Sequence, residues 1–251
     1  MNAKRRILIT ALFAVLIELA GCSNRSGTVG KAPILLFAGT GTSSGDVVAI
    51  ETLLKANNLV YATADSEQLN RMDAADLQRY RLLIVPGGNF VGMGNSLTAH
   101  TTSNIRNAVK SGVSYLGICA GAFLAGHFPP GSMSLNLTSG VQFKFYSAAD
   151  QGIRKAPVAV AMADGRMLEH YWEDGPQLTG WGDAIGKYPD GTPAIVEGTF
   201  GNGFVVLTGV HPEAPESWRH GMTFATPASV DNAHAVTLIR AALERAPLAH
   251  Y

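Results

Sequence analysis

The stretch Ser114-Tyr-Leu-Gly-Ile-Cys-Ala-Gly-Ala-Phe-Leu-Ala-Gly126 decides how the rest of this chain is read. Ser114 to Ile118 has the apolar run of a buried strand, and Ala120 to Ala125 that of the first turns of a helix. Cys119 falls on the junction, with Gly117 two residues before it and Gly121 two after. A strand that turns sharply into a helix lifts the junction residue proud of the sheet, and the helix N-terminus behind it favours a thiolate. The flanking glycines allow the tight turn and close packing of the helix. This is the cysteine form of the G-x-S-x-G nucleophile elbow. The plainer alternative is a small apolar residue filling a core.

Upstream of the elbow, Pro33 to Ala38, Leu59 to Thr63 and Arg81 to Val85 read as strands. Asp46 to Ala56 carries Val47, Ile50, Leu53 and Leu54 on one helical face, Asp73 caps a short helix, and Ser103 to Lys110 forms another. Asn89 to Thr102 is expected to be a loop. Alternating strands and helices with fully apolar strands predict an α/β fold, its sheet mostly parallel and covered by helices on both faces. Ligands of such sheets bind beyond the strand C-terminal ends. Gly39 to Gly45, Gly87 to Gly94 and Cys119 all collect there. The first of these loops lacks the lysine of a P-loop and a third glycine at dinucleotide spacing, which favours a flexible loop over a phosphate cradle. After the elbow helix the pattern becomes β-rich. Val141 to Tyr146, Val158 to Met162 and Gln177 to Trp181 read as short strands in a small excursion. Pro193 to Gly198 and Gly203 to Thr208 read as a hairpin, and a final helix spans Val230 to Arg245.

The 251 residues contain 19 Lys plus Arg and 19 Asp plus Glu, so no net field points to a nucleic-acid partner. Lys4-Arg5-Arg6, the apolar run Ile7 to Leu19 and then Leu19-Ala-Gly-Cys22 form a targeting segment too short to span a membrane comfortably. Small residues before Cys22 and a polar tether after it resemble the lipobox of bacterial lipoproteins. That resemblance implies a signal peptide over 1–21, a lipidated linker over 22–32 and a single α/β domain over 33–251. Cys22 would carry the lipid and tether the domain to a membrane of the bacterial cell envelope. Ser23 resembles the outer-membrane sorting pattern, with the domain facing the periplasm. The plainer alternative is a secretory signal with a chance cysteine. Cys22 and Cys119 are the only two cysteines, so lipidation of the first leaves the second without a disulfide partner.

A thiol nucleophile needs a base, and the base needs an orienting group. Of seven histidines, His211 follows a strand end at the same sheet edge as Cys119, and Glu213 stands two residues on. Backbone N–H groups of Ala120 and Gly88 are placed to serve as oxyanion donors. The plainer reading of His211 and Glu213 is a solvated surface turn.

Val85-Pro-Gly-Gly88, Tyr115-Leu-Gly-Ile-Cys-Ala-Gly-Ala122, Pro193-Ala-Ile-Val196, Gly201-Asn-Gly-Phe-Val-Val-Leu-Thr-Gly209 and His211-Pro-Glu213 together resemble the class I glutamine amidotransferase-like superfamily. More narrowly, they resemble the domain found at the N-terminus of some biotin–protein ligases, which also occurs alone. The resemblance implies a flavodoxin-like fold with Cys119 as nucleophile, His211 as base and Glu213 as its orienter. The chain has no synthetase domain to use ammonia and is too short to hold a biotin-ligase catalytic domain, so biotinylation is not implied. Tyr171 and Trp172 fall where the family carries an aromatic segment. They are candidates for a pocket wall, or alternatively part of a half-exposed strand.

Two functional classes follow. One is a membrane-tethered cysteine hydrolase acting on a small-molecule or peptide amide, or related acyl bond, with no metal or cofactor. The other is a ligand-binding or scaffold lipoprotein that keeps the fold without turnover. A redox role for the thiol is a third, weaker reading.

Overall fold

Residues 32–128 and 133–251 are described by a computed structural model. Cys22, the expected signal peptide and nearly all of the expected tether lie outside the described residues, as do residues 129–132 of the turn after the elbow helix.

The N-terminal part runs β1 (Ile34–Phe37), α1 (Ser44–Ala56), β2 (Tyr61–Ala64), α2 (Ser66–Arg71), α3 (Ala74–Leu77) and β3 (Leu82–Val85). It continues through α4 (Phe90–Ser96), α5 (Ala99–Lys110), β4 (Ser114–Ile118) and α6 (Ala120–Ala125). Then come β5 (Lys144–Phe145), β6 (Lys155–Met162), β7 (Met167–Glu173), β8 (Pro176–Gln177), β9 (Asp183–Lys187), β10 (Pro193–Phe200), β11 (Gly203–Thr208) and α7 (Ala228–Glu244). Side chains one residue outside the helices stop the orphan N–H groups from going unpaired: Ser43, Asp65, Asp73, Asn89 and Thr98 each accept a backbone hydrogen bond from the first turn. No helix among the described residues is long and apolar enough to cross a membrane.

Nine strands form one sheet in the order β2-β1-β3-β4-β11-β10-β9-β6-β7. Neighbours from β2 to β11 are parallel. From β11 onward every pairing is antiparallel. The sheet is therefore mixed. The region after α6, where a small β-rich excursion was expected, instead adds five strands to the same sheet, and among the described residues only β5 and β8 pair separately. The hairpin makes this possible, since β11 returns beside β4 and leaves β10 as a new edge for antiparallel growth.

Period-2 alternation divides the core. Ile34, Leu36, Leu82, Ile84, Leu116 and Ile118 face a cluster that takes in Ile50 and Leu54 of α1 and Leu238 and Ile239 of α7. Leu35, Phe37, Leu83, Val85 and Tyr115 face the opposite cluster, with Leu69 of α2, Leu77 of α3 and Ile105 and Val109 of α5. Both faces of the parallel strands are covered, which explains their unbroken apolar sequences.

Two expectations change here. Asn89 to Thr102 is not a loop: Asn89 caps α4, and Thr98 caps α5, which begins four residues before Ser103. The glycines Gly92 and Gly94 masked α4, and Gly94 sits inside it because a Cβ there would lie 2.3 Å from the Met133 carbonyl oxygen. Asp183 to Lys187 forms strand β9.

A second polar cluster lies under α7. Asp231 accepts from Arg219 at 2.5 Å and lies 3.2 Å from His170 Nδ1, whose Nε2 is 3.2 Å from His234 Nδ1. Arg219 also donates to the Thr226 carbonyl at 2.7 Å and stacks over Phe224 at 4.3 Å. All four of Arg219, Asp231, His170 and His234 are buried.

Candidate active site

The chain goes from β1 out to β2 and returns past β1 to β3, so consecutive connections diverge beside β1, and a crevice opens at the C-terminal ends of β1, β3, β4 and β11. Cys119 sits there between β4 and α6 with φ 47 and ψ −101, a backbone that non-glycine residues rarely adopt. Its N–H donates to the Thr208 carbonyl at 2.8 Å, which ties the elbow to β11. The flanking glycines are required by close approach. A Cβ on Gly117 would lie 2.6 Å from the Gly121 carbonyl oxygen, and one on Gly121 would lie 2.0 Å from that of Val85. Such strain at an otherwise well-packed position is typical of functional sites.

His211 follows β11, and its backbone N–H donates to the Tyr171 carbonyl at 2.8 Å. Its ring is buried at 4% exposure. Nδ1 meets Glu213 Oε1 at 2.8 Å and Asp46 Oδ1 at 3.1 Å. Both carboxylates are buried too, and Glu213 Oε2 has no hydrogen-bond partner among the described residues. With Nδ1 occupied, Nε2 is the ring nitrogen left unengaged, and Cys119 and His211 line the same cavity. The Cys119 thiol also lies within donating reach of the Glu173 carbonyl, at 3.4 Å. The expected solvated turn is excluded.

The electrostatics follow from burial without a fixed cation. Burial of the ring acts to lower the His211 pKa, but the neighbouring Glu213, Cys119 and Asp46 hold it well above the ordinary imidazole value. Burial pushes the Glu213 carboxyl up against the counteracting pull of His211. Asp46, although burial opposes its charge, is held below the usual carboxylate range by His211.

The cavity beside these groups measures about 470 Å³. Ser43, Asp46, Gly88, Asn89, Cys119, Ala120 and His211 line one side, and Phe90, Val91, Phe123 and Phe145 line another. Glu173, Asp174 and Arg154 complete it, with Arg154 and Asp174 paired at 2.6 Å. Among the described residues no backbone carbonyl takes the N–H of Gly88 or Ala120. Both residues line the cavity. Gly88 adopts φ 139, and a Cβ there would meet the Gly41 carbonyl oxygen at 2.2 Å.

The expected aromatic wall of Tyr171 and Trp172 is not found. Successive strand residues point to opposite faces, and Trp172 is fully buried in the core against Tyr146. Tyr171 stands behind the site: its hydroxyl donates to Glu173 Oε2 at 2.6 Å and its ring packs on His211 at 5.8 Å. Burial and that carboxylate raise the Tyr171 pKa, so the hydroxyl keeps its proton. The aromatic wall is instead Phe90 and Phe123, stacked at 4.7 Å, with Phe145 at 4.8 Å from Phe123.

Sequence reasoning also missed Asp46. An aspartate in the first turn of a helix is routine, and nothing local marks it as a partner of a histidine 165 positions later. The signal was indirect, in Gly87: a Cβ there would lie 2.2 Å from Asp46 Oδ1 and 2.7 Å from His211 Cε1. Asp46, His211 and Glu213 also form a donor set whose ligand atoms lie within 4.8 Å of one another, suited to a divalent ion. A metal on Nδ1 would displace the proton that the carboxylates now share with the ring.

A thiol on a strand-to-helix elbow and a buried histidine thus line one crevice at the C-terminal ends of the parallel strands. Residues 32–156 match the family model described as biotin-protein ligase, N terminal. The match covers just under half of the chain and includes Asp46, Gly88 and Cys119, while His211 and Glu213 lie beyond it. The sequence is similar to biotin–protein ligase of Schizosaccharomyces pombe (strain 972), 26% identical over 159 residues, 53% of this chain and 25% of that one. The chain thus spans about a quarter of that curated relative's length. Among solved structures, SMU.1228c aligns with TM-score 0.52 at 14% identity, over 84% of this chain and 98% of its own. The β-galactosidase of the Antarctic haloarchaeon Halorubrum lacusprofundi aligns with TM-score 0.51 at 15% identity, over 84% of this chain and 30% of its own. At these identities the likeness is one of fold, and it is consistent with the class I glutamine amidotransferase-like fold.

Proposed function

We propose that this protein is a cysteine hydrolase of amide or related acyl bonds, held at a bacterial envelope membrane by lipid on Cys22. The observation that carries the chemistry is the meeting of Cys119, His211 and two free N–H donors on one cavity. The thiol proton passes to His211 Nε2, and the sulfur forms a bond to the substrate carbonyl carbon while the π electrons move onto oxygen. Gly88 and Ala120 N–H donate to that oxygen. Collapse breaks the carbon–nitrogen bond, the amine leaves with the proton from His211, and a thioester remains on Cys119. Water, deprotonated by His211, then attacks the thioester, releasing the acid and restoring the thiol. Tyr171 and Glu213 keep the imidazole in its plane throughout. Placed on the periplasmic face of the outer membrane, the site would meet amides of the envelope and its nutrients.

Iodoacetamide alkylation of Cys119, followed by intact mass at pH 7, tests the activated thiol. Cys119 should react faster than free cysteine, and His211→Ala should slow it roughly tenfold, the order expected when a base partner is lost. Equal rates in both proteins would remove the hydrolase reading and leave the binding one. That second reading draws on the Glu173 carbonyl, which gives the thiol proton a place to rest away from the base.

A further inference from the structure

We propose that the cavity takes an amide bearing an aromatic ring or a similarly flat apolar group, and that Phe90, Phe123 and Phe145 are the side chains that select it. The proposal deepens the hydrolase reading and rests on it for the amide, while recognition of the ring is a matter of shape and charge.

The chemistry proposed for the site uses one side of the cavity: the thiol, the imidazole and the backbone at Gly88 and Ala120. A carboxamide alone would occupy only that side. The cavity measures about 470 Å³, within the range of about 300–1,000 Å³ usual for small-molecule sites. Its other side is apolar, and no step of the hydrolysis needs it. Phe90 and Phe123 are stacked with centroids 4.7 Å apart and planes 26° from parallel, while Phe145 meets Phe123 at 4.8 Å with its plane tilted by 56°. Two stacked rings and one tilted ring make a corner. A ring entering it finds a face on one side and an edge on the other, the arrangements that aromatic pairs prefer. Core packing does not account for Phe145. It is 44% exposed, belongs to neither core cluster, and sits on the two-residue strand β5, which pairs only with β8. Large apolar side chains left in water at a cavity gain by being covered. The wall also belongs to the segments that would hold the carbonyl oxygen. Phe90 follows Gly88 by two residues, and Phe123 stands one turn beyond Ala120 on α6.

Charge narrows the class. The cavity is completed by Glu173, Asp174 and Arg154. Arg154 pairs with Asp174, and among the described residues no lysine or arginine pairs with Glu173. An anionic group would meet that uncompensated carboxylate, so the ring is neutral or cationic. Glutamine, whose side chain carries no ring, would leave the corner uncovered.

A series of iodoacetamides on the full chain reads the preference, because the thiolate attacks the methylene carbon and expels iodide whatever the amide nitrogen carries. Each rate with Cys119, from intact mass at pH 7, is divided by the rate of the same reagent with free cysteine. N-benzyliodoacetamide should exceed iodoacetamide about tenfold on this scale, the low end of what an apolar group gains from a fitting pocket. Its para-carboxybenzyl analogue should lose most of that gain. Phe145→Ala, at an exposed position where loss of the ring spares the core, should cut the benzyl preference by about threefold or more. Equal normalised rates for iodoacetamide and the benzyl reagent in the wild type overturn the proposal, as does a preference untouched by Phe145→Ala. A carboxybenzyl reagent as fast as the benzyl one overturns the charge assignment. Saturation-transfer NMR of phenylacetamide with Cys119→Ser, against acetamide, separates this proposal from the hydrolase reading. Phenylacetamide bound, with wild-type Cys119 no faster than free cysteine toward iodoacetamide, would sink the hydrolase and keep the ring pocket. A fast thiol with neither benzyl preference nor phenylacetamide binding would sink the ring pocket and keep the hydrolase.

Discussion

Among the described residues two histidine–carboxylate clusters are buried, and they have opposite electrostatic character. Beneath α7, His170 and His234 stack near Asp231, and Arg219 supplies a permanent cation to that carboxylate. At the sheet edge, His211 stands between Asp46 and Glu213, neither of which pairs with an arginine among the described residues, and the imidazole itself becomes the cation. Burial and the neighbouring His170 accordingly push His234 down to about 3, whereas His211 is held well above its ordinary value. A closed charge inventory makes a strut. An inventory whose only balancing cation is a titratable ring, opening on a 470 Å³ cavity beside a thiol, makes a site that can move a proton.

The largest effect expected of this contrast is structural. Arg219→Ala leaves Asp231 buried and uncompensated, so urea denaturation should show a loss of about 3–5 kcal/mol. A loss under 1 kcal/mol would mean the strut is not what holds the 216–227 segment and its Trp218 near His211.

Next is a pH effect. The folded-state pKa of His234 lies below the unfolded value of about 6.5, so the unfolded chain binds a proton that the folded chain refuses. Stability should therefore fall as pH drops from about 6.5 toward about 3, at about 1.4 kcal/mol per pH unit for this group. His234→Gln should flatten that slope between pH 6 and 4.5 in denaturation series. An unchanged slope would place the acid sensitivity elsewhere.

The smallest effect concerns the cavity mouth. The Arg154 side chain is 71% exposed where it meets Asp174, so Arg154→Ala should change the unfolding free energy by less than about 1 kcal/mol in urea denaturation. A greater loss would make Arg154 part of the interior electrostatics, and the contrast between a fixed and a titratable cation would blur.

The parallel half of the sheet was legible because its signals are local. Unbroken apolar runs, Pro86-Gly87-Gly88 and the glycines around Cys119 each report a constraint on their own backbone. His211 and Glu213 were found for the same reason, two residues apart at a strand end. The antiparallel half was read less well. Its strands are amphipathic and short, and their membership of the main sheet depends on β11 returning beside β4, a pairing of residues far apart in sequence. Asp46, Glu173, Arg154 and the phenylalanine wall belong to that class of information: each is ordinary in its own segment, and only the fold gathers them. Trp172 was misassigned because aromatic composition says nothing about which face of a strand a ring occupies.

The place of β11 has a consequence for how the molecule comes into being. It pairs with β4 on one side and β10 on the other, and among the described strands it is the last in chain order. Until it arrives, β4 presents an open edge, and the elbow cysteine is already exposed on a chain that has no His211 to act with it. Folding must wait for contacts of long sequence separation, which makes it slow. A chain interrupted before Gly203 would carry an unpaired strand edge beside a free thiol, a species prone to add to other chains rather than to finish. The architecture thus delays competence until β11 and the histidine that follows it have been made.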